Sequence, residues 1–230
     1  MLNRSHINKK NDAVGESLPL PLPQEMSDKL HQTIHMIERK AGKERYSFAL
    51  TSCQHKAGTS SLTWSLAREY SKLSAKKIVV VEANTHTPVL ASALGVSGKP
   101  GFSELVSGSA TLDEVIQKPD GETFSVITAG NNNSSDRKIF NQTDIHNALR
   151  GIREQFDITI VDTAPLQIYP ETESLATAVD GLILVLRAEQ DKWEVAQLAT
   201  RTVTDSGANL LGAIINKKPL YIPGWLYKRL

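Results

Sequence analysis

The sequence predicts an α/β fold built on a doubly wound, mostly parallel sheet. Apolar, strand-like runs alternate with helical patterns of roughly ten to fifteen residues, the arrangement of βαβ units joined by right-handed crossovers. The run Ile78-Val79-Val80-Val81 is apolar without alternation, as a strand covered on both faces of a parallel sheet must be. An apolar strand ending near Ser52 also runs through a short turn straight into a helix, and ligands of such sheets sit where strands end in this way.

The elements follow in order. From Met1 to Gln24 the chain is polar, then proline-rich (Leu18-Pro19-Leu20-Pro21-Leu22-Pro23), and without periodicity. That predicts a disordered or polyproline-like tail over residues 1–24, whose prolines read as a linker or as a docking motif. A folded domain is expected over residues 25–218. Its first helix covers Glu25 to Lys40, with Leu30, Ile34 and Ile37 on one face and Gly42 as the stop. Tyr46 to Ser52 is a strand, and Ser60 to Leu73 a helix with Leu62, Leu66 and Leu73 facing inward. Lys77 to Ala83 is the unbroken apolar strand, and Thr123 to Thr128 a further one. Asn141 to Phe156 is a helix aligning Ile145, Leu149 and Ile152, followed by the strand Asp157 to Val161. A helix around Glu173 to Thr177, the strand Gly181 to Leu186, the helix Trp193 to Thr204 and the strand Leu210 to Ile215 complete the core. Residues 219–230 are aromatic and basic, and read either as a lid packed on the domain or as an exposed docking patch.

Composition narrows the function classes. A chain of 230 residues, 40% apolar, can bury a full core. Lys+Arg 26 against Asp+Glu 25 leaves a formal charge of +1, so nothing in the charge balance favours nucleic acid. A single cysteine, Cys53, excludes an intramolecular disulfide framework and a multi-cysteine metal site; it reads as buried filler at a strand end rather than as a reactive thiol. No apolar run approaches the ~20 residues of a membrane-spanning helix, and Met1 to Glu16 has no signal-peptide core. The expectation is a cytoplasmic chain without a transmembrane segment of its own.

The turn after the first strand, Thr51-Ser52-Cys53-Gln54-His55-Lys56-Ala57-Gly58-Thr59-Ser60-Ser61, has the outline of a phosphate-binding loop, G-x-x-x-x-G-K-[ST]. Counting back from Ser60, Thr59 stands at the lysine position and Cys53 at the first glycine. Loss of a charge-assisted hydrogen bond costs roughly 1.5–3 kcal/mol, or about 10–100-fold in affinity for a phosphate. Side chains in place of glycine also hinder the close approach of backbone amides. Lys56, in the same loop, is the cation placed to compensate.

Four further segments occur in order after the loop. They are Glu82-Ala83-Asn84-Thr85-His86-Thr87-Pro88 with Leu94-Gly95 behind it; Gly101-Phe102-Ser103-Glu104-Leu105-Val106-Ser107-Gly108; Phe156-Asp157-Ile158-Thr159-Ile160-Val161-Asp162-Thr163-Ala164-Pro165; and Leu210-Leu211-Gly212-Ala213-Ile214-Ile215-Asn216-Lys217. As an ordered set they resemble the bacterial tyrosine autokinases (BY-kinases) of exopolysaccharide synthesis, a branch of the MinD/ParA-like P-loop proteins. The resemblance runs from about Glu25 to Asn216 and implies that fold. Against the family pattern, Glu82 and Asn84 replace two aspartates that help hold and activate magnesium, and His86 and Thr87 replace arginines. Of the ring-forming helix motif E-x-x-R-x-x-R, Glu25 remains, with Asp28 and His31 at the arginine positions. The tyrosine cluster that accepts phosphate is reduced to Tyr221 and Tyr227. Asp162 and the Ser60 hydroxyl match the pattern, and both also suit plain strand-end and helix-cap chemistry.

The resemblance with these losses implies a non-catalytic, autokinase-like protein that regulates or scaffolds exopolysaccharide biosynthesis or export. It would dock on a membrane chain-length (co-polymerase) protein or on an active homologous kinase, at the inner face of the plasma membrane. No tightly bound cofactor is expected. The alternative is a divergent but active ATP-dependent autokinase, with Lys56, Glu82 and Asp162 as catalytic residues. In it Lys56, Gly58, Thr59, Ser60, Ser61 and Asn216 would bind ATP; Ser60, Glu82 and Asp162 would hold Mg2+; and Tyr221 and Tyr227 would accept phosphate.

Overall fold

The computed structural model describes residues 22–131 and 141–218. The helix α1 (Gln24–Ala41) leads into β1 (Tyr46–Ser52), α2 (Thr59–Leu73) and β2 (Ile78–Glu82). Three short helices follow, α3 (Leu90–Leu94), α4 (Phe102–Val106) and α5 (Leu112–Val115), before β3 (Ser125–Ile127). The remainder alternates: α6 (Gln142–Gln155), β4 (Ile158–Asp162), α7 (Glu171–Ala178), β5 (Gly181–Arg187), α8 (Trp193–Asp205) and β6 (Leu210–Asn216).

The six strands form one sheet in the order β3-β2-β4-β1-β5-β6, and every pairing between them is parallel. The chain leaves central β1 towards β2 on one side and crosses from β4 to β5 on the other, so strand order reverses around β1. That reversal opens the crevice in which ligands of doubly wound sheets lie. Helices cover both faces. On one side Ile145, Leu149 and Ile152 of α6, Leu175 of α7, and Ala199 and Val203 of α8 pack against Ala49, Val79, Val81 and Val161. On the other, Leu30, Ile34 and Ile37 of α1 and Trp64, Leu66 and Tyr70 of α2 pack against Phe48, Leu50, Val80 and Ile160. The unbroken apolar strands are those buried on both faces.

Element edges differ from expectation by a residue or two. Gly42 ends α1 in the left-handed region at φ +62, its N–H on the Glu38 carbonyl at 3.0 Å. At the other end Pro23 precedes the first turn and Leu22 packs against the core, both inside the stretch expected as a tail. The rest of that tail, and residues 219–230, lie outside the described residues.

Candidate functional site

The carboxyl ends of β1, β2 and β4 converge where the phosphate loop turns. The loop is braced from outside by residues at the carboxyl ends of β5 and β6. The amide of Asn216 donates to the Ala57 carbonyl at 2.9 Å, and the Lys217 ammonium donates to the Lys56 carbonyl at 2.6 Å. Arg187 donates to the Gln54 side chain at 2.6 Å while held by Asp191, also at 2.6 Å. In this braced stretch Lys56 has φ +62, a conformation uncommon outside glycine. Gly58 follows at φ +82, and a Cβ there would lie 2.6 Å from the Asn216 amide nitrogen. Asn216, expected from the sequence to contact a nucleotide, here braces the loop; like those of Lys217 and Arg187, its contact spans more than a hundred residues and was not foreseen.

Gly58 caps α2 without a side-chain hydrogen bond, and the first turn of that helix carries no acidic residue. Its leading amides and the half-buried Ser60 and Ser61 hydroxyls form a surface suited to an anion. Thr59, at the first helical position, is nearly buried and brings no charge. Lys56 is exposed on the loop. Cys53 is buried at the strand end, where burial and the charge of Asp191 push its thiol up to about 11. It is a structural thiol and not a nucleophile.

Asp162 ends β4, fully buried, in register with Leu50 of β1 and Glu82 of β2. The structure therefore brings Asp162 and Glu82 side by side at the sheet edge. Glu82 is already committed. Its Oε1 accepts the N–H groups of Val89 at 2.5 Å and Leu90 at 2.9 Å, and its Oε2 accepts that of Ala129 at 3.2 Å. Burial raises its carboxyl above the usual range, and the three amides offset that only in part. Asn84 closes a local turn with Thr87: it donates to the threonine hydroxyl at 3.0 Å and accepts the Thr87 N–H at 3.2 Å.

His86 hydrogen-bonds Glu171 and stacks on Tyr169, with ring centroids 3.6 Å apart at 20°. His55 of the loop meets the same tyrosine edge-on at 5.7 Å. Three loops are thus joined by rings at the sheet edge, an arrangement the sequence did not reveal because Tyr169 and Glu171 are remote from both histidines. Tyr221 and Tyr227 lie outside the described residues.

No family model matches the chain. A tyrosine-protein kinase of Streptococcus agalactiae, CpsD, is 26% identical over 178 residues, covering 77% of this chain and 77% of the relative. The kinase domain of Escherichia coli tyrosine kinase ETK superposes with a TM-score of 0.77 at 22% identity, over 87% of this chain and 79% of that one. The chain is thus similar to the bacterial tyrosine-protein kinases. The septum site-determining protein MinD of Pyrococcus horikoshii, solved with Mg-ADP, matches with a TM-score of 0.66 at 15% identity, over 80% of this chain and 76% of that one. The fold is the α/β P-loop fold.

For a kinase relative the donor set fits Mg-ATP poorly. The α2 amides, Ser60 and Asp162 suit a phosphate and its metal. Against them, Thr59 supplies no cation, Lys217 is spent on a loop carbonyl, and both Glu82 oxygens are held by backbone amides. Among the described residues no group of three or more His, Cys, Asp or Glu is placed to hold a metal ion.

Proposed function

We propose that this chain is a non-catalytic, autokinase-like protein that regulates or scaffolds exopolysaccharide biosynthesis or export. It docks on a membrane co-polymerase or on an active homologous kinase, and so works at the inner face of the membrane through that partner. The observation that carries this reading is the state of Glu82 beside a loop whose lysine position is Thr59. The acid that would have to serve magnesium is bound by three amides. Phosphoryl transfer depends on positioned charge, so a site lacking the lysine and the free carboxylate lacks what lowers the barrier. Among the described residues no helix is long and apolar enough to cross a membrane.

The second reading, a divergent active tyrosine autokinase, rests on the buried Asp162 and the open first turn of α2. Calorimetric titration with Mg-ATP separates the two. The expected dissociation constant is weaker than about 100 µM, and Thr59→Lys should tighten it by about tenfold or more. Binding near 1 µM overturns the proposal on the same scale. So does phosphotyrosine formed by the pure protein with ATP and lost in Lys56→Ala.

A further inference from the structure

The three most exposed large apolar side chains among the described residues are Trp193 at 75%, Ile215 at 67% and Leu198 at 57%. All three belong to the last helix and the last strand, α8 and β6. Ile215 pairs in register with Leu186, and Ala213 with Leu184. Leu184 and Leu186 pack in the same cluster as Ala199 and Val203 of α8, so Ile215 faces the α8 side of the sheet. Trp193 opens α8 at the carboxyl end of the sheet. There the Gln167 amide reaches the Val195 carbonyl at 3.4 Å and sets Ile168, 44% exposed, beside the first turn. The exposed carboxylate Glu194 lies along the same stretch of chain, as does Glu189, which already has a partner of its own.

We propose that this edge is the seat of the chain's own residues 219–230. They continue directly from Lys218, two residues past the end of β6 and next to Ile215. Their composition matches the surface: Tyr221, Ile222, Trp225, Leu226 and Tyr227 supply apolar and aromatic area, and Lys228 and Arg229 face the acidic side chains. Pro219 and Pro223 keep the segment from simply prolonging β6 as a paired strand. Twelve residues span up to about 40 Å when extended, and the thirteen-residue α8 is only about 20 Å long. At the start of the described residues, Leu22 packs into the α1–α2 cluster on the opposite face. Seated in this way, Tyr221 and Tyr227 lie against the chain's own helix and not in a free tail.

Hydroxyl-radical footprinting read by mass spectrometry tests this on three proteins: the full chain, a chain ending at Lys218, and full-length Trp225→Asp. Trp193 should oxidise several-fold faster in both variants than in the full chain. Trp64, 4% exposed in the core, serves as the unchanged internal reference. Equal Trp193 reactivity in all three overturns the proposal. Protection that disappears on dilution overturns it in favour of a second copy, and protection lost in a fourth protein, lacking residues 1–21, overturns it in favour of the other terminus.

Discussion

Glu82 illustrates how a carboxylate at a ligand-binding edge becomes part of the frame. A fully buried acid is tolerated only when its oxygens meet donors, and here the amides of Val89, Leu90 and Ala129 provide them. The bonds tie the end of β2 to the start of α3 and to the segment after β3, so the side chain positions two loops at once. Replacing it with the isosteric amide tests the role. In Glu82→Gln the carbonyl oxygen can still accept from Val89 and Leu90, but the NH2 group then faces the Ala129 N–H. Two donors left opposed in a dry site should destabilise the fold by about 1–3 kcal/mol. Urea unfolding should show a lower midpoint with an unchanged slope. An unchanged midpoint would mean that the carboxylate is not a brace and is free to serve a ligand.

At the scale of elements, the long ones were legible in the sequence. β1 runs from Tyr46 to Ser52 as its apolar run predicts, and α6 buries Ile145, Leu149 and Ile152 as their spacing predicts. The helices α3, α4 and α5 were not foreseen, because four or five residues cannot display a 3.6-residue period. The turn from β1 into α2 was equally plain, whereas its bracing depends on contacts of Asn216, Lys217 and Arg187 made by folding alone. The same holds for the turn between α7 and β5, whose Asp180 binds elements far apart in the chain. It accepts the Ser47 N–H at 2.8 Å and the Lys43 ammonium at 2.7 Å. Burial by itself pushes the Asp180 carboxyl up, but Lys43 and the Ser47 amide and hydroxyl outweigh it and hold the carboxyl below its ordinary 3.8. A depressed folded pKa gives stability that is fully present above the unfolded value and lost as pH falls through the folded one. Asp180→Asn should therefore cost about 1–2 kcal/mol at neutral pH, and the gap from the parent should narrow as pH drops below 3.8. A gap that stays constant down the acid limb would assign the effect to packing and not to charge.

For the whole molecule, the question is what α1 assembles with. In the ring motif that the sequence resembles, a glutamate on one copy meets arginines on its neighbour, and here those arginine positions are Asp28 and His31. The structure shows each motif residue satisfied within its own chain. Glu25 pairs with Lys29 at 2.5 Å, and Asp28 accepts from the Gln24 side chain at 2.9 Å. His31 turns inward to the buried Glu69 at 2.8 Å, where Ser27 and Lys72 also bond the same carboxylate. That last cluster fastens α1 to α2, so His31 is part of the intramolecular packing and unavailable to a second copy. Exposed single ion pairs contribute at most about 1 kcal/mol, too little to hold a ring without arginines opposite Glu25. Under the proposed function, a different protein that presents arginines would have to displace these weak exposed pairs, an assembly distinct from a ring of identical chains. Sedimentation of the purified chain at tens of micromolar should accordingly give a monomer or a small species, unchanged by Glu25→Ala. His31→Arg alone should not create a ring, because the new guanidinium would be drawn to Glu69. A stable octamer-sized particle that dissolves in Glu25→Ala would show that α1 carries a homotypic interface, and the docking logic of the proposed function would fall with it.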